Sequence, residues 1–351
     1  METIAIHSLS SARPDAGRDA VLAPSFGLAY NGKSISDPIA RNLLSMHYTD
    51  NLSGEADELT VRLEDTVGNF KRLWYPEKGA TLTARMGYPG LLLDCGEFQI
   101  DEVHQTGSAS GDEVTMRALA AGLATQDVRT KKSKAHESQT LAQIVERVAK
   151  AHGLTVVGNI KPITIQRATQ FRKTDLHFLH KLAFDYGYVF SVRGKRLVFA
   201  NIFDLEKSSP VAVLSRADII SYDTTDKLTE TFKAAEVQHH NHKTKKLVKG
   251  RAVSSASSET AADTLQIRRK VESQPQADAQ AKAALHWKNS HATECAVTLP
   301  GNPLLVSGVA VRLTPEDFGR AGGLYYIFTS AHHIETGDGY VTEFTGKRLG
   351  K

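Results

Sequence analysis

Glu58-Leu59-Thr60-Val61-Arg62-Leu63-Glu64 is the stretch whose reading decides the fold. Leu59, Val61 and Leu63 alternate with Thr60, Arg62 and Glu64, so an extended chain here puts its apolar side chains on one face and its polar ones on the other. The same period of two returns at Leu82, Ala84 and Met86 against Thr81, Thr83 and Arg85. It returns again at Phe98 and Ile100 against Gln99 and Asp101, and at Val114, Met116 and Ala118. Turn residues stand between, at Glu77-Lys78-Gly79 and Gly107-Ser108. The pattern predicts a half-buried antiparallel sheet over residues 26–125, wound into a small barrel or sandwich.

The period then changes. After Thr140, the residues Leu141, Ile144, Val145, Val148 and Ala149 share one helical face. Thr140 with Gln143 matches a capping box, and Gly153 is placed to end the helix. Thr174 caps a second helix, and Asp175 suits the positive end of its dipole. Its buried stripe is Leu176, Leu179, Leu182, Ala183 and Tyr186, and Gly187 stops it. A hairpin follows from Tyr188 to Val192 and Leu197 to Phe199, turning at Arg193-Gly194-Lys195. Residues 126–204 therefore read as a small α/β module.

From residue 205 to 351 the strand pattern resumes. Val237 to Lys249 reads as a polar hairpin, Ala277 to Trp287 as a helix started by Pro275, and Val309–Leu313, Tyr325–Ser330 and Tyr340–Lys347 as strands. The fold class is thus α+β, mainly β. Residues 1–25 read as a flexible arm and Ser254 to Ala262 as an exposed loop, because their few apolar residues offset little of an ordering cost of ~1–2 kcal/mol per residue.

Composition narrows the function. The 351 residues are 41% hydrophobic and 23% charged, an ordinary globular balance, and the net charge of +4 does not by itself indicate nucleic-acid binding. Cys95 and Cys295 have no metal-ligand spacing and do not suggest a disulfide framework, which fits a reducing origin. No signal peptide and no run of about 18 apolar residues is found.

Candidate chemistry is sparse. His239, His240 and His242 lack a nearby acidic or cysteine ligand and sit among Lys243, Lys245, Lys246 and Lys249, so they read as a solvated strand rather than a metal site. His332 and His333 would face opposite sides of a strand. His177 and His180 share a helix face, with structural roles expected. No nucleophile elbow, zinc-protease His-Glu-x-x-His or phosphate loop occurs, and no catalytic, cofactor-binding or metal-binding residue is assigned. Lys131-Lys132-Ser133-Lys134 reads as a solvated linker.

Four stretches stand out in order: Ala56 to Leu63 leading to Trp74, Pro76, Lys78-Gly79 and Gly87-Tyr88; Gly96 to Val103; Lys131-Lys132-Ser133 and Thr140-Leu141 to the helix ending His152-Gly153-Leu154, continuing into Thr174 to Leu179 and Gly187-Tyr188; and Leu299 to Leu304 with Gly308, Gly323 to Ile327 and His332-His333. In this order they resemble the phage late control gene D family, the baseplate hubs of contractile tails, and more distantly the N-terminal half of the type VI secretion spike protein. Together they run from about residue 26 to 348. The resemblance implies two tail-tube-like β-barrel domains, residues 26–125 and 205–351, flanking the α/β module. It implies a homotrimer whose six barrels make a pseudo-sixfold ring between tail tube protein and central spike protein, with baseplate wedge proteins outside. It implies no cofactor and no membrane insertion, and leaves open whether DNA passes the lumen without specific binding. The chain has no appended needle or lysozyme insert, so the needle is expected to be a separate protein. The alternatives are a cell-wall hydrolase, or a peptidoglycan-binding module, carried at the tail tip.

Overall fold

The computed structural model describes residues 23–109, 111–120, 130–227, 231–241, 245–254 and 263–349. The first strand region holds β1 (Ser25–Tyr30), β2 (Lys33–Ser34), β3 (Leu43–Asn51), β4 (Glu58–Glu64), β5 (Thr81–Tyr88), β6 (Leu91–Ser108) and β7 (Gly111–Ala120). Leu59, Val61 and Leu63 of β4 are at most 1% exposed, and Leu82 of β5, Phe98 of β6 and Met116 of β7 at most 2%, so the alternation does mark the core face. Each such side chain contributes about 1.5–3 kcal/mol on burial.

The module follows: β8 (Lys132–Thr140), α1 (Leu141–Ala151), β9 (Thr155–Val157), β10 (Thr164–Lys173), α2 (Asp175–Tyr186), β11 (Tyr188–Arg193) and β12 (Arg196–Asn201). Both expected caps form. Gln143 N donates to Thr140 Oγ1 at 3.2 Å while Gln143 Oε1 accepts from Thr140 N at 2.9 Å. His177 N donates to Thr174 Oγ1, and Gly187 ends α2 with a φ of +76°, open to glycine without strain. β11 and β12 form the hairpin, and β9 lies parallel to β12.

One expectation fails here. The Lys131–Lys134 run is not a linker: from Lys132 it is the start of β8, which pairs with β10 as a two-stranded ribbon. Its sequence buries only His136, so no apolar alternation announces it.

The rest comprises β13 (Ala212–Leu214), β14 (Ser221–Asp226), β15 (Ala234–Asn241), β16 (Lys246–Val253), β17 (Thr264–Arg268), α3 (Gln274–Asn289), β18 (Thr293–Pro300), β19 (Ala310–Leu313), β20 (Gly323–Glu335) and β21 (Gly339–Arg348). The expected polar hairpin is β15–β16; β15 also pairs with β17, and α3 packs on this small sheet through Ala277 and Ala281 against Val237. The arm of residues 1–25 and the loop from Ser254 to Ala262 lie outside the described residues apart from residues 23–25 and Ser254, and Ser25 already opens β1.

The main sheet corrects the expectation of two separate barrels. Thirteen strands are hydrogen-bonded continuously in the order β14-β18-β21-β20-β3-β4-β7-β6-β5-β1-β2, with β19 branching from β20 and β13 from β19. Among the described residues the path does not close into a ring. Two lobes nevertheless keep separate cores, one around β3–β7 and one around β18–β21. The reason they join is β20. Residues Gly323 to Tyr326 pair with β19, whereas Thr329 to Glu335 pair with β3, and β21 lines the other side of both parts. A bulge at Phe328 makes the switch: Ile327 stays with Val309 and Gly308, while the Phe328 carbonyl accepts from Leu52 N at 2.9 Å. An extra residue in a strand bends it and redirects its partners.

Candidate functional site

The nearest approach to a catalytic arrangement is Ser330, His332 and Tyr340. Ser330 Oγ lies 3.1 Å from His332 Nε2, and His332 Nδ1 lies 2.7 Å from the Tyr340 hydroxyl. Yet Ser330 donates to the Leu305 carbonyl at 2.5 Å, and Ser330 and His332 are both 0% exposed. A hydroxyl without access to substrate cannot act as a nucleophile. The trio instead ties the 301–308 loop to β20 and β21.

The other histidines are scattered. His333 faces away from His332 and meets the His47 ring edge-on at 4.5 Å. His239 and His240 lie on β15 opposite Val248 and Leu247, and His242 is outside the described residues. His177 is exposed, and His180 lines a cleft with Gly54, Glu55 and Ala56. Among the described residues no group of three or more His, Cys, Asp or Glu is arranged to hold a metal. Cys95 and Cys295 are both buried and free.

What the structure does bring together is a buried junction between module and sheet. Arg193, at the end of β11, donates through Nη2 to Asp50 Oδ1 of β3 at 2.5 Å and to Ser307 Oγ at 2.8 Å. Its Nε lies 3.7 Å from Asp57 Oδ2. Asp50 also accepts from Ser307 N and Oγ, and Asp57 accepts from Asn51 N. Three separate parts of the chain are thus locked by one guanidinium. Burial opposes its charge, but the carboxylates of Asp50 and Asp57 outweigh that and hold it more firmly protonated than free arginine. Burial lifts the Asp57 carboxyl from 3.8 to about 7 against the pull of Arg193, and the Asp50 charge adds to the rise. Sequence reading took Arg193 only as a turn residue; no local signal links it to a carboxylate 143 residues away.

A second cluster surrounds Asp175, which was read as a dipole partner. It is buried, and accepts from Lys132 Nζ at 2.6 Å and Gln170 Nε2 at 2.9 Å, with His152 Nε2 at 2.8 Å. Burial raises its pKa, but these bonds overcome that and leave it below the usual carboxylate value. It joins the β8–β10 ribbon and the end of α1 to α2.

The surface carries further features. Among the described residues β13 and β14 each pair on one side only within the sheet. Beside them Val211, Val213, Ile220 and Tyr222 are exposed. The loop between β4 and β5 exposes Val67, Trp74, Tyr75 and Leu73, the last at 89%. Apolar groups clustered on a surface mark places where another molecule docks.

Comparison with known proteins gives concordant results. The family model described as phage tail baseplate hub (GPD) matches residues 95–338. The probable baseplate hub protein of Escherichia phage 186 is 33% identical over 188 residues, covering 53% of this chain and 46% of that one. The chain therefore spans about half the length of that relative. The 43 kDa tail protein of prophage MuSo2 from Shewanella oneidensis shares the fold at a TM-score of 0.70 and 15% identity, over 93% of this chain and 98% of that one. The E. coli c3393 protein, a component of the type VI secretion system, shares it at a TM-score of 0.58 and 12% identity, over 88% of this chain and 74% of that one.

Proposed function

The chain belongs to the phage tail baseplate hub (GPD) family, and from that membership we propose that it is the structural hub of a contractile tail or tail-like particle. Three copies form a pseudo-sixfold ring joining the tail tube to a central spike protein, with wedge proteins outside. The domain division at residues 26–125, 126–204 and 205–351 is part of this proposal: each subunit gives the ring two strand-rich lobes, and the module stands between them. The hub works in the virion tail baseplate, after assembly in the bacterial host cytoplasm. It needs no cofactor and carries out no turnover.

The observation that carries the reading is the family match over residues 95–338. The lobes add physical support, because among the described residues β13 and β14 keep unpaired edges in a sheet with two buried cores, and such edges associate unless covered. A subunit with two similar lobes meets a sixfold tube with three copies.

Sedimentation of the pure protein, alone and with its cognate spike, tests this. The expected species has three times the 38.3 kDa mass of the chain. A protein that stays monomeric in both conditions and clears a peptidoglycan suspension would establish the hydrolase instead.

A further inference from the structure

The β8–β10 ribbon is not regular to its end. Gln170 faces Lys134 and Lys173 faces Lys132, so Phe171 and Arg172 together stand opposite Ser133 alone. One extra residue in a strand makes a bulge, a device that re-aims side chains. Arg172 takes a φ of +48°, which a residue other than glycine keeps only when its surroundings hold it there. Buried Gln170 supplies that hold. Its Nε2 donates to the Lys173 carbonyl at 2.8 Å and to Asp175 Oδ1 at 2.9 Å, and Arg172 N donates to Ser133 Oγ at 3.3 Å. The result is an aromatic ring fixed outside the core. Phe171 is 66% exposed, and the Arg172 guanidinium lies over one face, 5.5 Å from the ring centroid.

Positive charge accumulates at the same end. Glu137 of the ribbon is paired with Arg167 at 3.8 Å, and Asp175 at the head of α2 with Lys132 at 2.6 Å. Lys131, Lys134, Arg172 and Lys173 remain, all exposed. Among the described residues none of the four is in an ion pair. The neighbouring elements do not cancel them. α1, which reaches this corner through the contact of His152 with Asp175, adds Arg147 and Lys150 against Glu146, and the 54–56 loop near His177 adds Glu55, so the surplus stays at four.

We propose that this end of the ribbon binds single-stranded nucleic acid, with an unstacked base on the open face of Phe171 and phosphates on Lys131, Lys134, Arg172 and Lys173. Such a strand alternates flat apolar rings with fixed negative charges, the complement of one open ring among four cations. An acidic polypeptide would satisfy the cations but has no need of a fixed ring. A duplex would satisfy them too, but it keeps its bases inside the stack. The surface lies on the module alone and does not rest on the ring reading.

Fluorescence anisotropy of the full chain with a labelled oligothymidylate of about 16 nucleotides tests this. Affinity should fall with salt at a log–log slope of about −3, the value for four cations on a single strand. Phe171→Ala should weaken binding about tenfold and leave that slope unchanged. Lys134→Ala together with Lys173→Ala should halve the slope to about −1.5. These side chains are exposed, so the variants should melt with wild type. Wild type that does not bind at low salt overturns the proposal, as does a Phe171→Ala chain that binds like wild type. A duplex of equal length, or polyglutamate, that competes as well as the single strand overturns it too, and marks the corner as a plain counterion surface or a site for an acidic protein.

Discussion

Arg193 serves two carboxylates, and the imbalance has measurable consequences. Arg193→Met should cost about 3–5 kcal/mol in urea unfolding, because Asp50 and Asp57 stay buried without a countercharge. Asp57 gives the pH dependence. Burial lifts its carboxyl from the ordinary 3.8 to about 7 in the fold, so the folded state holds the extra proton between them. Stability from this group is greatest at low pH, falls as pH rises through that window, and levels off above it. Asp57→Asn keeps an acceptor for Asn51 N and removes the charge, so its unfolding free energy should fall less than wild type over the same window. Glu206, lifted by burial to about 7, acts in the same direction, which is why the difference between the two proteins is the quantity to read. Equal slopes would mean that Asp57 titrates normally. At the same scale, Gly301 is glycine for a reason other than turning: a Cβ there would lie 2.0 Å from the Tyr340 ring.

Among the elements, the helices were the most legible. Their caps and apolar stripes lie within a few residues of one another, and both α1 and α2 form where those signals stand. Leu179 is 0% exposed in the module core. Leu179→Asp should therefore lower the melting temperature sharply, since the carboxylate either stays charged at a cost of several kcal/mol or takes a proton at a raised pKa. A variant that melts with wild type would place Leu179 outside the core. The β8–β10 ribbon was illegible because few of its side chains are buried, His136 on β8 with Ile165, Ala168 and Gln170 on β10, too sparsely to alternate. Gln170, His136 and the Lys132–Asp175 pair do there what apolar alternation does in β4, and polar strands look like loops in sequence.

Across the whole molecule, β20 is the shared strand. Both of its sides are paired along most of its length, and opening it separates β3 from β21 as well as β19. Hydrogen exchange should therefore be slowest in β20, near the global unfolding rate, and faster in β13 and β14, which among the described residues pair on one side only. Mass spectrometry of exchanged peptides reads this directly. Rapid exchange across Thr329 to Glu335 would mean that the two lobes open independently, as two separate barrels would.

The amino-acid sequence by itself determined the class, the strand faces, the helix limits and, through the order of its motifs, the family. These depend on period and on capping, interactions between residues close in the chain, so a linear reading contains them. Only the tertiary structure decided which strand β20 pairs with, how Arg193 finds Asp50 and Asp57, and which apolar residues are left outside. Val67 and Leu63 are both apolar, and only packing makes one exposed and the other core. Such choices are settled by contacts between residues far apart in sequence, whose energies exist only once the chain has brought them together.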